Sequence, residues 1–308
     1  MHRETTAPPS TEEFKLGTTT VPKNLKKKSR DKSIRLTGST ADRHILYQAS
    51  VQCVEADIDF FDRLSRTKRG QPFRLLKEDF CGTAALASEF VSRHPENRAW
   101  GVDLHQPTLD WGMKHNLSRL GEGADRVTLV RDDVLNVREP KVELVAGLNF
   151  SYSVFKTREL MLSYFKAARE SLVDDGIFVI DAFGGTDAME ENEEDRKIDA
   201  SETLDGRRLP AFTYVWDQHR FNTITHDILC YIHFKFADGT RMKRAFTYDW
   251  RFWTLPELQE LMLEAGFRTA EIYMEGWDDE DDDGDGVFRR RKYFENIAGW
   301  VGYVVGLR

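Results

Sequence analysis

The segment Glu78-Asp79-Phe80-Cys81-Gly82-Thr83-Ala84 puts two carboxylates directly before a tight turn. It follows the apolar Leu75-Leu76 and opens a stretch of helical character from 83 to 93. A strand that turns into a helix presents free backbone N–H groups at the helix start, and these suit an anionic group such as a carboxylate. In open α/β sheets, ligands sit outside the carboxyl ends of the strands. Twenty-one residues after Gly82, Asp103 closes the next apolar stretch, within Gly101-Val102-Asp103-Leu104. A carboxylate at that place accepts hydrogen bonds from ribose hydroxyls. Two acidic positions separated by one strand–helix–strand unit together point to a nucleoside. The turn is poorly built for phosphates, however. Of the glycines in G-x-G-x-x-G only Gly82 is present, with Phe80 and Ala84 where others would stand, and a pyrophosphate needs close backbone approach there. A GxxxxGK[ST] phosphate loop is also missing.

Positioning these residues requires an alternating frame. The apolar stretches 73–76, 98–103, 126–130, 142–148 and 176–181 read as buried strands, with helical patterns near 83–93, 106–120 and 157–173 between some of them. Such alternation predicts an α/β fold with a doubly wound, mostly parallel sheet. Ahead of it, Tyr47, Val51, Val54, Ile58 and Phe61 recur at spacings of 4, 3, 4 and 3, one face of a helix. Gly70 and Pro72 close that segment. Beyond Asp181 the composition changes. Residues 186–206 are polar and acidic and read as a mobile loop. Residues 211–221, 227–236 and 241–253 are rich in aromatic and β-branched side chains, and Ala237-Asp238-Gly239-Thr240 is a turn signal. The stretch 186–253 is therefore expected to form an antiparallel β insertion covering one end of the sheet. Thr254-Leu255-Pro256-Glu257 has capping-box spacing before a helix that ends at Gly266. Residues 268–274 and 299–307 supply two final strands. Residues 1–40 read as a disordered basic tail and 41–308 as one domain.

Over residues 41–308 the chain resembles the class I S-adenosylmethionine-dependent methyltransferases. Glu78 to Ala84 is similar to the family's first motif, D-x-x-C-G-T-G, in the EDFCGTA form of a bacterial and plant-type branch. The resemblance implies a Rossmann-like fold, a reversed last strand and S-adenosyl-L-methionine as cofactor, which has ribose and adenine, no phosphate, and an amino acid at its charged end. It implies Glu78 near the methionine amino group, with Phe80, Gly82 and Thr83 in the turn around it. Asp103 and Leu104 match the ribose position. Asp132-Asp133-Val134 matches the adenine-contacting segment, with Asp133 as the partner of the amino group. Asn149-Phe150-Ser151-Tyr152 falls where the family lines the methyl-transfer pocket. It is similar to the N-P-P-Y of methyltransferases acting on planar amino groups, with both prolines missing. Asn149 and Tyr152 are the expected catalytic residues, either as an amine clamp or as a generic pocket rim. Aromatic faces suit sulfonium and ammonium cations. Tyr214, Trp216, Trp250 and Trp253 are expected to form an aromatic lid over the strand ends, or else the core of the insertion.

Other residues carry weaker signals. His219 and His226 have the chemistry of general bases, but a lone strand histidine is more often structural. Cys81 has no local histidine partner and reads as structural. Asp279, Asp281, Asp283 and Gly284 fit places one, three, five and six of a calcium loop, but place twelve falls on Arg290, where a bidentate Glu is needed. The run 278–285 therefore reads as a solvated acidic loop. Asp181 is followed by Ala182-Phe183-Gly184-Gly185 rather than the Asp-Asn of the magnesium-dependent catechol-type methyltransferases, so no metal is expected. The 308 residues carry 44 Lys plus Arg against 52 Asp plus Glu, a net charge of −8, which disfavours general nucleic-acid coating. Residues 23–35 hold seven basic residues and one acidic; nucleic acid there is an alternative to a solvated leader and is not favoured. No apolar run approaches the ~20 residues of a membrane helix, and no secretory leader is recognisable. Cys53, Cys81 and Cys230 are too scattered for a disulfide scaffold or a zinc knuckle, so a cytoplasmic location is expected. The expected function is methyl transfer to the nitrogen or oxygen of a small-molecule acceptor. RNA or protein as acceptor, with 23–35 as a docking arm, and non-catalytic cofactor binding stay as alternatives. A nicotinamide dehydrogenase is disfavoured by the missing glycines. A displacement at an already activated carbon asks mainly for positioning and exclusion of water, so the lack of an obvious catalytic dyad does not argue against an enzyme.

Overall fold

The computed structural model describes residues 36–203, 206–278 and 283–308. Two helices come first, α1 (Arg43–Ser50) and α2 (Val54–Leu64). The apolar spacing read above as one helix is interrupted at Val51 (φ −121°, ψ −38°) and Cys53 (φ −124°, ψ 62°). The break sends the two halves of one apolar stripe to different cores. Ile58 and Phe61 of α2 pack beneath the main sheet, whereas Tyr47 and Val51 pack against the insertion.

The parallel strands β1 (Leu75–Asp79), β2 (Arg98–Asp103), β3 (Val127–Arg131), β4 (Val142–Gly147) and β5 (Leu172–Gly184) alternate with α3 (Ala85–Arg93), α4 (Gln106–His115) and α5 (Arg158–Ser171). Strands covered on both faces read as continuous apolar runs, and Ile177 to Ile180 of β5 are at most 1% exposed. Leu76, Leu144, Ile177 and Val179 face α2 and α3, while Val145, Phe178 and Ile180 face α5. β1 lies between β2 and β4, parallel to both, so the order of strands reverses at the β1–β4 boundary. That reversal opens a crevice at the carboxyl ends, the ligand position of doubly wound sheets. It brings the Glu78–Ala84 turn and the Asn149 segment to its two sides.

After β5 the chain leaves the sheet. β6 (Asn192–Ile198) is followed by the two-residue strands β7 (Ser201–Glu202) and β8 (Arg208–Leu209), then β9 (Phe212–Phe221), β10 (Asp227–Lys235) and β11 (Arg241–Arg251). The order β11-β10-β9-β6 makes the expected antiparallel insertion. The expected loop at 186–206 is in part β6, paired with β9. Its Asn-Glu-Glu-Asp-Arg-Lys sequence hides a strand because charged side chains are tolerated on an edge. The helix α6 (Leu255–Glu264) has the capping box predicted at Thr254 and Glu257. Three strands follow rather than two: β12 (Thr269–Asp278), β13 (Asp283–Arg291) and β14 (Trp300–Leu307). β14 runs antiparallel to β5, with Tyr303 opposite Asp181, and gives the reversed strand. The unforeseen β13 is the outer edge of the sheet and is rich in Gly and Arg.

Of the expected tail, only the part from Leu36 lies within the described residues. There Leu36 packs on the insertion, and the Gly38 N–H donates to Thr240 Oγ1 at 2.8 Å. The basic run 23–35 and Asp279 to Asp282 of the acidic run lie outside them. Among the described residues, no helix is long and apolar enough to cross a membrane. No cluster of three His, Cys, Asp or Glu side chains there is placed to hold a metal.

Candidate active site

Strand alternation divides the two acids at the end of β1. Asp79 points into the core, where its Oδ1 lies 3.0 Å from Lys77 Nζ, both side chains being at most 1% exposed. Glu78 points the other way and accepts the Ala87 N–H, in the first turn of α3, at 2.9 Å. Burial pushes the Glu78 carboxyl up to about 8 against the pull of the Ala87 amide, and Asp103, Asp57 and Asp79 push in the same direction as burial. The result is a buried acid at a helix start, with burial favouring its protonated form.

The turn itself alternates through left-handed backbone at Phe80 (φ 56°), Gly82 (φ 53°) and Ala84 (φ 55°). For the two non-glycine residues this conformation costs roughly 1–2 kcal/mol each, and neighbouring contacts hold it. The Phe80 ring packs on Phe155 and Tyr164, with centroids at 5.9 and 5.4 Å. Cys81 N–H donates to the Val102 carbonyl at 2.9 Å, and Gly82 N–H to Asp103 Oδ2 at 2.9 Å. The Thr83 carbonyl accepts from Asn116 Nδ2 at 2.8 Å, and Thr83 Oγ1 accepts from Gln48 Nε2 at 3.0 Å. The turn is thus tied to β2, to the C-terminal end of α4 and to α1.

Asp103 is half-buried and oriented by two amides, Gly82 on Oδ2 and His105 on Oδ1, the latter at 2.8 Å. A carboxylate has about four acceptor sites, so capacity for hydroxyl donors is left over. Leu104 beside it is 65% exposed. After β3, Asp132 Oδ1 accepts from Asn136 Nδ2 and from the Asp133 N–H, which hold its carboxyl below the usual range. Asp133 is half-buried and accepts the Leu135 N–H, while Val134 is buried beneath.

Across the crevice, Asn149 (φ 58°) and Phe150 (φ 55°) are also left-handed. Both N–H groups donate to one carboxylate, that of Asp181 in the C-terminal part of β5, at 2.8 and 2.9 Å. Burial pushes Asp181 up to about 7 despite these bonds. This bracing acid was not anticipated; its signal was a lone carboxylate closing the apolar run 176–181, in the strand beside the Asn149 segment. The brace turns Phe150 toward a cavity of about 180 Å³ beside the crevice. Its wall comes from Tyr47 and Val51 of α1, Asn149 and Phe150, Phe183 of β5, and Tyr214, Trp216, Ile232, Tyr248 and Trp250 of the insertion.

Three of the four expected lid aromatics therefore line the cavity. Trp253 does not: it is 4% exposed in the main core, with its indole N–H donating to the Phe155 carbonyl at 3.1 Å. Tyr152 is not part of the wall either. The single 3₁₀ turn Ser151–Val154 carries its ring inward, where it is 2% exposed among Phe155, Tyr164 and Trp253. The aromatic residue of this segment that lines the cavity is Phe150. Neither His219 nor His226 lines the cavity. Tyr47, Phe183 and Tyr248 were missed. The two-residue spacing of Tyr214 with Trp216, and of Tyr248 with Trp250, puts each pair on one face of its strand and could have found Tyr248.

The sheet order, the antiparallel insertion and the reversed β14 make this a Rossmann-like methyltransferase fold. Neither a family model nor a curated protein matches the sequence. Among solved structures, the chain is similar to a S-adenosylmethionine-dependent methyltransferase from Clostridium acetobutylicum, with 17% identity and a TM-score of 0.60 over 86% of this chain and 96% of that one. It is similar to the sugar N-methyltransferase KedS8 from Streptoalloteichus, with 17% identity and a TM-score of 0.59 over 96% and 99% of the two chains. It is similar also to CalS10 from Micromonospora echinaspora, an amino pentose methyltransferase solved with S-adenosylmethionine bound, with 16% identity and a TM-score of 0.59 over 86% and 95%.

Proposed function

We propose that this protein is a S-adenosyl-L-methionine-dependent methyltransferase acting on the nitrogen of a small-molecule acceptor. The observation that carries the reading is the buried, protonatable Glu78 in a turn whose amide also fixes Asp103, opening beside an aromatic cavity. The residues fit the cofactor: the buried Glu78 carboxyl, held by the Ala87 amide, has acceptor capacity left for an ammonium group, and the turn has no glycine cradle for phosphate. When bound, the cofactor supplies a methyl group already activated on sulfur. Glu78 holds its amino group, with Phe80, Gly82 and Thr83 around the methionine end. Asp103 takes the ribose hydroxyls beside Leu104, and Asp133 takes the adenine amino group, flanked by Asp132 and Val134. Asn149 stands at the junction of crevice and cavity and orients the acceptor, while the insertion excludes water.

Nitrogen is favoured over oxygen because the cavity wall contains no carboxylate, His or Lys side chain to serve as a base. A neutral amine needs little base catalysis, unlike a hydroxyl. The similarity in fold to a sugar N-methyltransferase supports the same choice. The test is calorimetric titration of the cofactor, followed by tracing of a labelled methyl group into the products of a cell extract. Asp103→Ala removes up to two charge-assisted hydrogen bonds of roughly 1.5–3 kcal/mol each, so cofactor affinity should fall at least tenfold. Unchanged affinity would remove Asp103 from the site, and no cofactor binding by the unaltered protein would end the proposal.

A further inference from the structure

We propose that the aromatic cavity is a cage for an alkylated ammonium group, so that the acceptor is a tertiary amine methylated to a quaternary ammonium. The inference rests on the methyltransferase reading only for the source of the methyl group. Seven aromatic rings contribute to the wall, from four separate parts of the chain: α1, the segment after β4, β5 and the insertion. Several of them form a contiguous aromatic surface. Tyr248 and Trp250 stack at 4.2 Å, and Trp216 lies 6.0 and 6.4 Å from them. Phe150 meets Trp250 edge-on at 6.4 Å and lies 4.8 Å from Phe183. Arg196 already stands over the Tyr214 ring at 5.0 Å, so the other rings carry the argument.

Ring faces attract cations through their quadrupole, most strongly when water is excluded, and a quaternary ammonium can be recognised this way without a hydrogen-bond acceptor. A neutral apolar ligand would gain the same burial but not this attraction. The wall also fits the chemistry. In the final methylation the lone pair of a tertiary amine forms the new N–CH₃ bond as the S–CH₃ bond breaks. The positive charge passes from sulfur to nitrogen, a neutral thioether leaves, and no proton is released. A cavity with seven rings and no base suits that step. Tyr47 and Tyr248 share a side-chain hydrogen bond, and burial holds their phenols, with that of Tyr214, well above the ordinary tyrosine range. The attraction therefore comes from neutral rings rather than a phenolate.

The experiment compares choline with its neutral isostere 3,3-dimethylbutan-1-ol, following tryptophan fluorescence and calorimetry on the full chain, with and without cofactor. Choline should bind at least tenfold more tightly and perturb the fluorescence of Trp216 and Trp250. Trp250→Leu should abolish that preference. If this nearly buried residue proves necessary for folding, the half-buried Trp216→Leu should reduce the preference several-fold while cofactor affinity is kept. Equal affinity for the two probes, with cofactor binding intact, would overturn the cage and leave the methyltransferase reading standing. A choline preference without any cofactor binding would keep the cage and overturn that reading.

Discussion

At the scale of single residues, Glu78 connects the site to pH. Its carboxyl rises from the usual 4.5 to about 8, chiefly through burial. Between those values the folded protein holds a proton that the unfolded chain has released. Stability falls with pH wherever the folded state binds more protons, so the contribution of Glu78 is complete below 4.5 and is lost as pH rises through 8. Asp181, at about 7, and Asp57, at about 6, act in the same direction at lower pH. The cofactor-free protein should therefore melt at a lower temperature at pH 8.5 than at pH 5.5. Glu78→Gln should flatten the upper part of that slope. A melting temperature that climbs across this range would contradict the assignment. Binding gives a second readout, because an ammonium beside Glu78 favours its carboxylate. Near pH 7, calorimetry in buffers of different ionisation enthalpy should detect up to one proton released by the natural protein as cofactor binds. The Glu78→Gln variant should release less.

At the scale of elements, α4 fixes the turn from behind. A Cβ built on Gly112 would sit well inside contact distance of the Thr83 carbonyl, a backbone group that cannot swing away. That carbonyl also accepts the Asn116 side chain at 2.8 Å. Gly112→Ala should force α4 off the turn and cost about 1–3 kcal/mol, the usual range for overpacking. Cofactor affinity should drop with it, measured by denaturant titration and calorimetry; normal values of both would show that α4 does not set the turn. The parts of this arrangement differ in how well the sequence displays them. The five parallel strands are visible because burial on both faces demands apolar runs, and their carboxyl ends locate Glu78, Asp103 and Asn149. β6 and β13 are edge strands full of charge, and their pairing leaves no alternating apolar pattern. The break after α1 is hidden because the apolar spacing continues across it while the burial partner changes. That Tyr152 lies in the core and Phe150, two residues earlier, lines the cavity is not legible in the sequence. Left-handed backbone at Phe150 and the 3₁₀ turn after it decide which aromatic reaches the cavity, and neither has a signature in residue type.

At the scale of the whole molecule, the crevice and the cavity meet at α1. Asp42 caps this helix by accepting the His44 N–H at 2.8 Å, and its other oxygen accepts the Trp111 indole of α4 at 2.7 Å. Farther along the helix, Gln48 donates to Thr83 in the turn after β1, while the adjacent Tyr47 lines the cavity. A ligand that orders the turn is therefore expected to order a wall of the cavity through this helix. Such coupling is reciprocal in free energy. Cofactor should tighten the binding of an ammonium probe such as choline, and choline should tighten the binding of cofactor by the same factor. Gln48→Ala removes one part-buried hydrogen bond, worth about 0.5–1.5 kcal/mol, and touches neither the apolar core nor the aromatic wall. The variant should therefore fold, bind each ligand alone with modest loss, and show a coupling factor near one. The measurement is a four-arm titration, each ligand with and without the other, on both proteins. Hydrogen exchange of residues 43–50 should slow on cofactor binding in the natural protein and change less in the variant. Coupling of equal size in both proteins would mean that the Gln48–Thr83 bond does not carry it, leaving the Asp42–Trp111 link to α4 and the Asp181 brace at Asn149 and Phe150 as the routes.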